Sequence, residues 1–152
     1  MKIVRYQIIY AILLGLLCSC GGINKVLKSK DPDYKYEVAK QCYMNGKYEN
    51  ASMLLNDVLA SMKGTEKGDE SLFLLGMCKL SAKDYVTAND YFTKYCNNYA
   101  SGPHLEEAYF YAGYSLLCST VGPNLDQTAT YSAVTAFQNL LEDYPNSKFS
   151  AA

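Results

Sequence analysis

The sequence contains no tryptophan and only one histidine, His104. A single histidine excludes a His-rich metal site and leaves any His-based catalysis one candidate. There is no excess of charge of either sign: fourteen Lys+Arg stand against fifteen Asp+Glu, a formal net charge of −1. That balance argues against a dedicated nucleic-acid binder. Motifs that announce chemistry are also missing. No Cys-x-x-Cys, no His-spaced cysteine pair, no phosphate-binding loop and no nucleophile motif occurs, so neither a metal nor a cofactor is expected. The chain does have apolar content, 49% of 152 residues, and fifteen tyrosines. That suffices for one compact domain or one short repeat array, and it excludes a disordered chain.

Long hydrophobic runs are absent too, apart from Ile8 to Cys18. This run is too short to span a hydrocarbon core of about 30 Å. Behind the basic head of Lys2 and Arg5, and ahead of small residues, it reads as a secretory signal over residues 1–19. The segment Leu17-Cys18-Ser19-Cys20-Gly21 resembles a bacterial lipobox: an aliphatic residue, a small one before the break, then the cysteine that is lipidated. Cys20 fits that position, and Cys18 does not, because Leu17 would stand where a small residue belongs. Acyl chains on Cys20 contribute about 0.8 kcal/mol per buried methylene and make a durable anchor. Losing residues 1–19 removes Lys2 and Arg5, which leaves twelve basic and fifteen acidic residues and a charge near −3. Residues 20–30 then form a short basic tether. An acidic cluster after the cysteine, which would resemble a surface-export signal, is lacking, and this points to the periplasmic face.

Four cysteines remain: Cys42, Cys78, Cys96 and Cys118. Each falls in a helical stretch, where a free cysteine serves as a small apolar residue. Free thiols are expected, with one disulfide as the alternative in an exported protein.

Residues 31–152 read as an all-α repeat array. Ala39, Gly76 and Gly113 are 37 apart, as are Tyr36, Phe73 and Phe110. Tyr48 and Tyr85, Ala51 and Ala88, and Leu55 and Phe92 share that spacing. In the third unit Ala133, Phe137 and Leu140 follow Ala88, Phe92 and Tyr95 by 45, so eight extra residues sit between Ser119 and Thr130. Within each unit the apolar residues recur with helical period. The helices split at Asn45-Gly46-Lys47 and Ala82-Lys83-Asp84, and the third pair covers about 103–118 and 128–144. Asp31-Pro32 supplies an N-cap and a first-turn proline, Gly64 and Gly68 are expected to bracket the first inter-repeat loop, and Asp126 can cap the last helix. Small residues on one helix let the partner helix approach, and Leu55, Phe92 and Phe137 fill the seam. This is the tetratricopeptide (TPR) pattern, with repeats at about 31–66, 67–101 and 102–147.

A lipobox followed directly by TPR hairpins resembles the BamD-like lipoproteins of outer-membrane protein assembly. The third unit strengthens the resemblance: a long loop, Asp126-Gln127-Thr128, Ala133 to Phe137, then Tyr144-Pro145-Asn146-Ser147. The resemblance covers residues 17–152 and implies a non-catalytic lipoprotein on the periplasmic face of the outer membrane. It implies a BamA-type assembly protein and nascent barrel proteins as partners. Members of that family carry about five repeats, whereas this sequence reaches Ala152 where a fourth hairpin should begin, so a chain truncated at its C-terminus is expected. Two other lipoprotein types weigh against this resemblance. A SusD-like glycan-capturing lipoprotein also joins a lipidated cysteine to TPR helices, but those chains are much longer and rely on tryptophan platforms. A generic periplasmic TPR adaptor is the other.

In a TPR array the first helices of successive hairpins line one groove. Tyr36, Phe73 and Phe110 fall at one lining position, Lys40, Met77 and Tyr114 at a second, and Tyr43, Leu80 and Leu117 at a third. Such a groove suits an extended peptide with aromatic side chains, unless the same residues bury against neighbouring helices. Asp33, Glu70 and Glu107 share the 37-residue spacing and predict an acidic rim. His104, beside Glu106 and Glu107 in a first turn, is expected to be a surface histidine, since no converging groups accompany it.

Overall fold

Seven helices and no strand make up the described residues of the computed structural model, which are 21–120 and 125–150. They are α1 (Gly21–Leu27), α2 (Pro32–Met44), α3 (Tyr48–Leu59), α4 (Glu66–Ser81), α5 (Tyr85–Asn98), α6 (Leu105–Cys118) and α7 (Thr128–Asp143). The signal segment and Cys20 lie outside the described residues, as do residues 121–124 of the long loop. The helices α2–α3, α4–α5 and α6–α7 form three hairpins, and each helix packs chiefly on its chain neighbours. This is the TPR-like all-α solenoid read from the spacing. Among the described residues no helix is long and apolar enough to cross a membrane.

Local chemistry accounts for the helix ends. Asp31 accepts the Tyr34 N–H at 3.1 Å, and Pro32 opens α2. Thr65 accepts the Gly68 N–H at 3.1 Å at the start of α4. Gly68 therefore lies inside α4 rather than bracketing the loop, because the cap forms three residues earlier. Ahead of α7, Asp126 takes the Thr128 N–H at 2.9 Å and its hydroxyl at 2.6 Å, while Gln127 occupies the N-cap position.

The seams follow the 37-residue pattern. Ala39, Ala51 and Leu55 are fully buried in the first hairpin, and Ala88 and Phe92 in the second. A Cβ on Gly76 would stand 2.6 Å from the Phe92 ring, and one on Gly113 would stand 3.0 Å from Phe137. Only glycine allows those rings so close to the facing backbone. Two apolar clusters result, one among α1 to α4 and one among α4 to α6. Cys42, Cys78, Cys96 and Cys118 are all free. Burial pushes the Cys78 thiol up to about 12 and the Cys96 thiol up to about 11, as expected of inert apolar fillers.

The segment read as a tether departs from that expectation. Residues 21–27 form α1, which buries Val26 and lays Ile23 and Leu27 against the first hairpin. Three apolar residues at helical spacing find a ready surface there, so the segment folds back instead of hanging free.

Candidate partner-binding site

The three predicted lining positions behave differently along the array. In the first hairpin Tyr36 is buried, with Lys40 and Lys67 over its ring at 5.3 and 5.2 Å. Its hydroxyl donates to Glu70, and burial together with that carboxylate pushes its pKa up to about 12. Lys40 is half-buried in an ion pair with Glu70 at 2.8 Å, and Tyr43 packs edge-on against Tyr48. In the second hairpin Phe73 is buried, while Met77 and Leu80 pack against the second core cluster. Two of these six residues are buried and four are half-buried against neighbouring side chains, so they do not form an open aromatic stripe.

The third hairpin does. Phe110 is half-buried, and Tyr114 and Leu117 are exposed. With Phe137, Leu140, Leu141, Phe149 and Ser150 they line a cleft of about 360 Å³ between α6, α7 and the segment after α7. Phe149 stacks on Phe110 at 4.1 Å between centroids, with planes 8° apart.

Phe149 has a counterpart that explains the cleft. His104 precedes Phe149 by 45 residues, the spacing of the third unit, and it stacks on Phe73 at 4.4 Å and 11°. Hydrogen bonds repeat as well. The His104 N–H donates to the Tyr95 hydroxyl at 3.1 Å, which donates to Asp69 at 2.5 Å. The Phe149 N–H donates to the Ser147 hydroxyl at 3.1 Å, which donates to Glu106 at 2.6 Å. Each residue that lines the cleft thus has a partner 37 or 45 positions earlier. Most of those earlier residues pack with α6 in the second core, where its Ala108 and Ala112 are buried and its Tyr111 stacks on Phe92 at 5.5 Å. The third hairpin repeats that seat, and among the described residues no helix covers it.

The acidic rim is neutralised. Asp33 pairs with Lys67, Glu70 with Lys40, and Glu107 with Lys148 at 2.6 Å. Partial burial pushes the Glu70 carboxyl up, but hydrogen bonds from Lys40 and Tyr36 outweigh it and hold the group below its ordinary value. The Lys148 hydrogen bond, helped by His104, holds Glu107 low against the opposing effect of its burial. Spacing aligned these acids but could not show that a lysine of another element reaches each one.

His104 is no free surface side chain. Its ring lies flat on Phe73, and its Nδ1 sits 3.1 Å from Glu107. Stacking and the bond to the Tyr95 hydroxyl draw it into the junction between hairpins. Among the described residues no three His, Cys, Asp or Glu side chains converge as metal ligands.

Of the lining residues, Phe149 went unremarked in the sequence, although its 45-residue offset from His104 was available as a signal. The repeat pattern puts Phe137 in the seam and Leu140 only at its 45-residue offset from Tyr95. The cleft draws on both, because the face of α7 that a further helix would cover is exposed.

A family model described as YfiO, outer membrane lipoprotein, matches residues 28–152. The chain belongs to the YfiO family. The match spans all three hairpins, and with it the open cleft. YfiO proteins are BamD-like accessory lipoproteins of the outer membrane. No curated protein matches the chain.

Proposed function

We propose that this YfiO-family chain is a non-catalytic component of the outer-membrane β-barrel assembly machinery. In this reading Cys20 carries the lipid anchor at the periplasmic face of the outer membrane. The cleft on the third hairpin receives aromatic-bearing segments of unfolded barrel proteins, and a BamA-type assembly protein is the other partner. The observation that carries the reading is the cleft itself, where, among the described residues, aromatic side chains of the predicted groove line an accessible slot. An apolar slot walled by rings suits a segment that presents aromatic side chains. The 360 Å³ volume limits it to one or two such side chains at a time.

The repeated seat favours a second occupant for the same cleft: a partner's amphipathic helix that presents small residues as α6 does. Two labelled peptides separate the occupants. One is an extended, alternating-aromatic peptide ending in Phe; the other is a helical peptide carrying the α6 sequence. Fluorescence anisotropy should show binding of the extended peptide to the full chain. Leu141→Arg should weaken it at least tenfold, about 1.4 kcal/mol, with an unchanged melting curve. Equal binding by the variant, or none by the wild type, removes the cleft from this reading. Acyl labelling tests the anchor separately: Cys20→Ala should abolish the label and release the protein from membranes washed at high salt, and retained label would assign the lipid to Cys18.

A further inference from the structure

Charge is distributed unevenly along the chain. Residues 20–30 hold Lys25, Lys28 and Lys30 and no acidic residue. Residues 31–152 hold nine basic and fifteen acidic residues, a net charge of −6. The basic end is also structured. At 100° per residue, Ile23, Val26 and Leu27 form one stripe of α1, and Lys25 and Lys28 fall on the opposite side. That stripe is clamped on the first hairpin, so the lysines project away from the protein, and all three are exposed. Lys35, Lys40, Lys67, Lys79 and Lys148 are held in ion pairs, but none of the three is paired among the described residues.

We propose that Lys25, Lys28 and Lys30 form a docking surface for anionic phospholipid headgroups. Three exposed, unpaired cations at one end, with an acidic body behind them, make an electrostatic dipole that turns this end toward a negative surface. Each lysine near such a surface contributes to binding, and the attraction fades within a Debye length. The consequence for orientation rests on the Cys20 anchor proposed above. Seven helical residues span only about 10 Å, so a lipid at Cys20 holds the first hairpin close to the headgroups instead of on a long leash. The cleft on the third hairpin, at the far end of the described stack from α1, then faces away from the bilayer.

The test uses the chain from residue 20 onward carrying Cys20→Ser, so that no acyl chain contributes. It is sedimented with vesicles of phosphatidylcholine containing about a third phosphatidylglycerol, and with pure phosphatidylcholine, at low and high salt. Binding is expected only to the anionic vesicles, and it should fall as salt rises. Reversing the patch with Lys25→Glu, Lys28→Glu and Lys30→Glu should weaken binding by on the order of a hundredfold. The control reverses three other exposed, unpaired lysines, Lys63→Glu, Lys83→Glu and Lys94→Glu, which changes net charge equally and should retain most of the binding. Lys→Gln at the three patch positions guards against disturbed folding of α1 and should give an intermediate loss. Equal loss in patch and control variants, equal binding to neutral vesicles, or no wild-type binding overturns the proposal. None of these outcomes depends on whether Cys20 is acylated, which acyl labelling of the full-length protein reads independently.

Discussion

The second and third hairpins are built to one plan and meet different fates. Both carry a glycine against a phenylalanine, both stack a ring on the aromatic of their first helix, and both join the next segment through a bridging hydroxyl. In the second hairpin α6 covers the resulting seat, and Phe92 and Tyr95 are fully buried. In the third no described helix covers the seat, Phe137 is half-buried, and Leu141 and Tyr114 are exposed. A repeat's residues thus do not by themselves decide whether it is core or binding surface; the presence of the next helix does. The N-terminal end makes the same point from the other side, because α1 closes the outer face of the first hairpin.

The comparison predicts unequal costs for equal substitutions. Gly76→Leu forces a side chain into the fully buried Phe92 ring, which has nowhere to go, and overpacking should cost about 3 kcal/mol. Gly113→Leu meets Phe137, whose neighbours include the open cleft, so the ring can turn aside and the cost should be about 1 kcal/mol. Thermal melts followed by circular dichroism read the difference. Equal losses would mean that the third seam is as rigid as the second and that the open cleft gives it no freedom.

The bridging hydroxyls sharpen the contrast. Tyr95→Phe leaves the buried Asp69 without its hydrogen-bond donor and should cost about 2 kcal/mol, the usual penalty for stranding a buried charged acceptor. Ser147→Ala strands Glu106, which is only half-buried and can turn to water, so about 1 kcal/mol or less is expected. Urea titrations of both variants decide the order. A larger loss for Ser147→Ala would reverse the assignment of which junction holds the array together.

What was legible in the sequence divides along the same line. Identical spacing at Ala39, Gly76 and Gly113 exposed the repeat because close helix contact demands a small residue wherever it recurs. The cap at Asp31 was legible because capping is local, whereas Asp126 bonds Thr128 from one residue ahead of the N-cap position that Gln127 holds. The site was less so. Tyr36, Phe73 and Phe110 occupy one repeat position, and nothing in their spacing tells that Lys67 and His104 cover the first two while Phe149 leaves the third beside a cleft. Coverage depends on elements 30 to 40 residues away. The fold of α1 is hidden for a related reason: seven residues are too few to be helical through their own propensity, and packing on the first hairpin supplies the rest.

Acid should act unequally on the two tied carboxylates. The folded-state pKa values of Glu70 and Glu107 both lie below the ordinary value of 4.5. Their ion pairs therefore contribute stability that is present above about 4.5 and is lost as the pH falls through the depressed values. Glu70 has a partly buried lysine and a buried tyrosine as donors, whereas the Lys148 partner of Glu107 is largely exposed and screened by salt. Lys40→Met should thus flatten the loss of melting temperature between pH 5 and 3 more than Lys148→Met does. The reverse order would place the acid-sensitive contact at the end of the array instead of between the first two hairpins.

The smallest effect compares two turns rather than two seams. Gly46 and Lys83 hold the same place 37 residues apart, and both have positive φ, 71° and 61°. For glycine that conformation is free; for lysine the Cβ crowds the following carbonyl at about 1 kcal/mol or more. Lys83→Gly relieves the strain but loosens the unfolded chain, which returns roughly half of the gain. A net stabilisation of about 0.5 kcal/mol is expected, or a rise of about 2 °C in melting temperature. Gly46→Lys should lose a similar amount, because neither side chain position has a neighbour to reward it; a Cβ on Gly46 meets nothing within 4 Å. Destabilisation by Lys83→Gly would mean that the lysine side chain makes a contact outweighing its backbone strain, and that the two turns are equivalent in shape but not in energy.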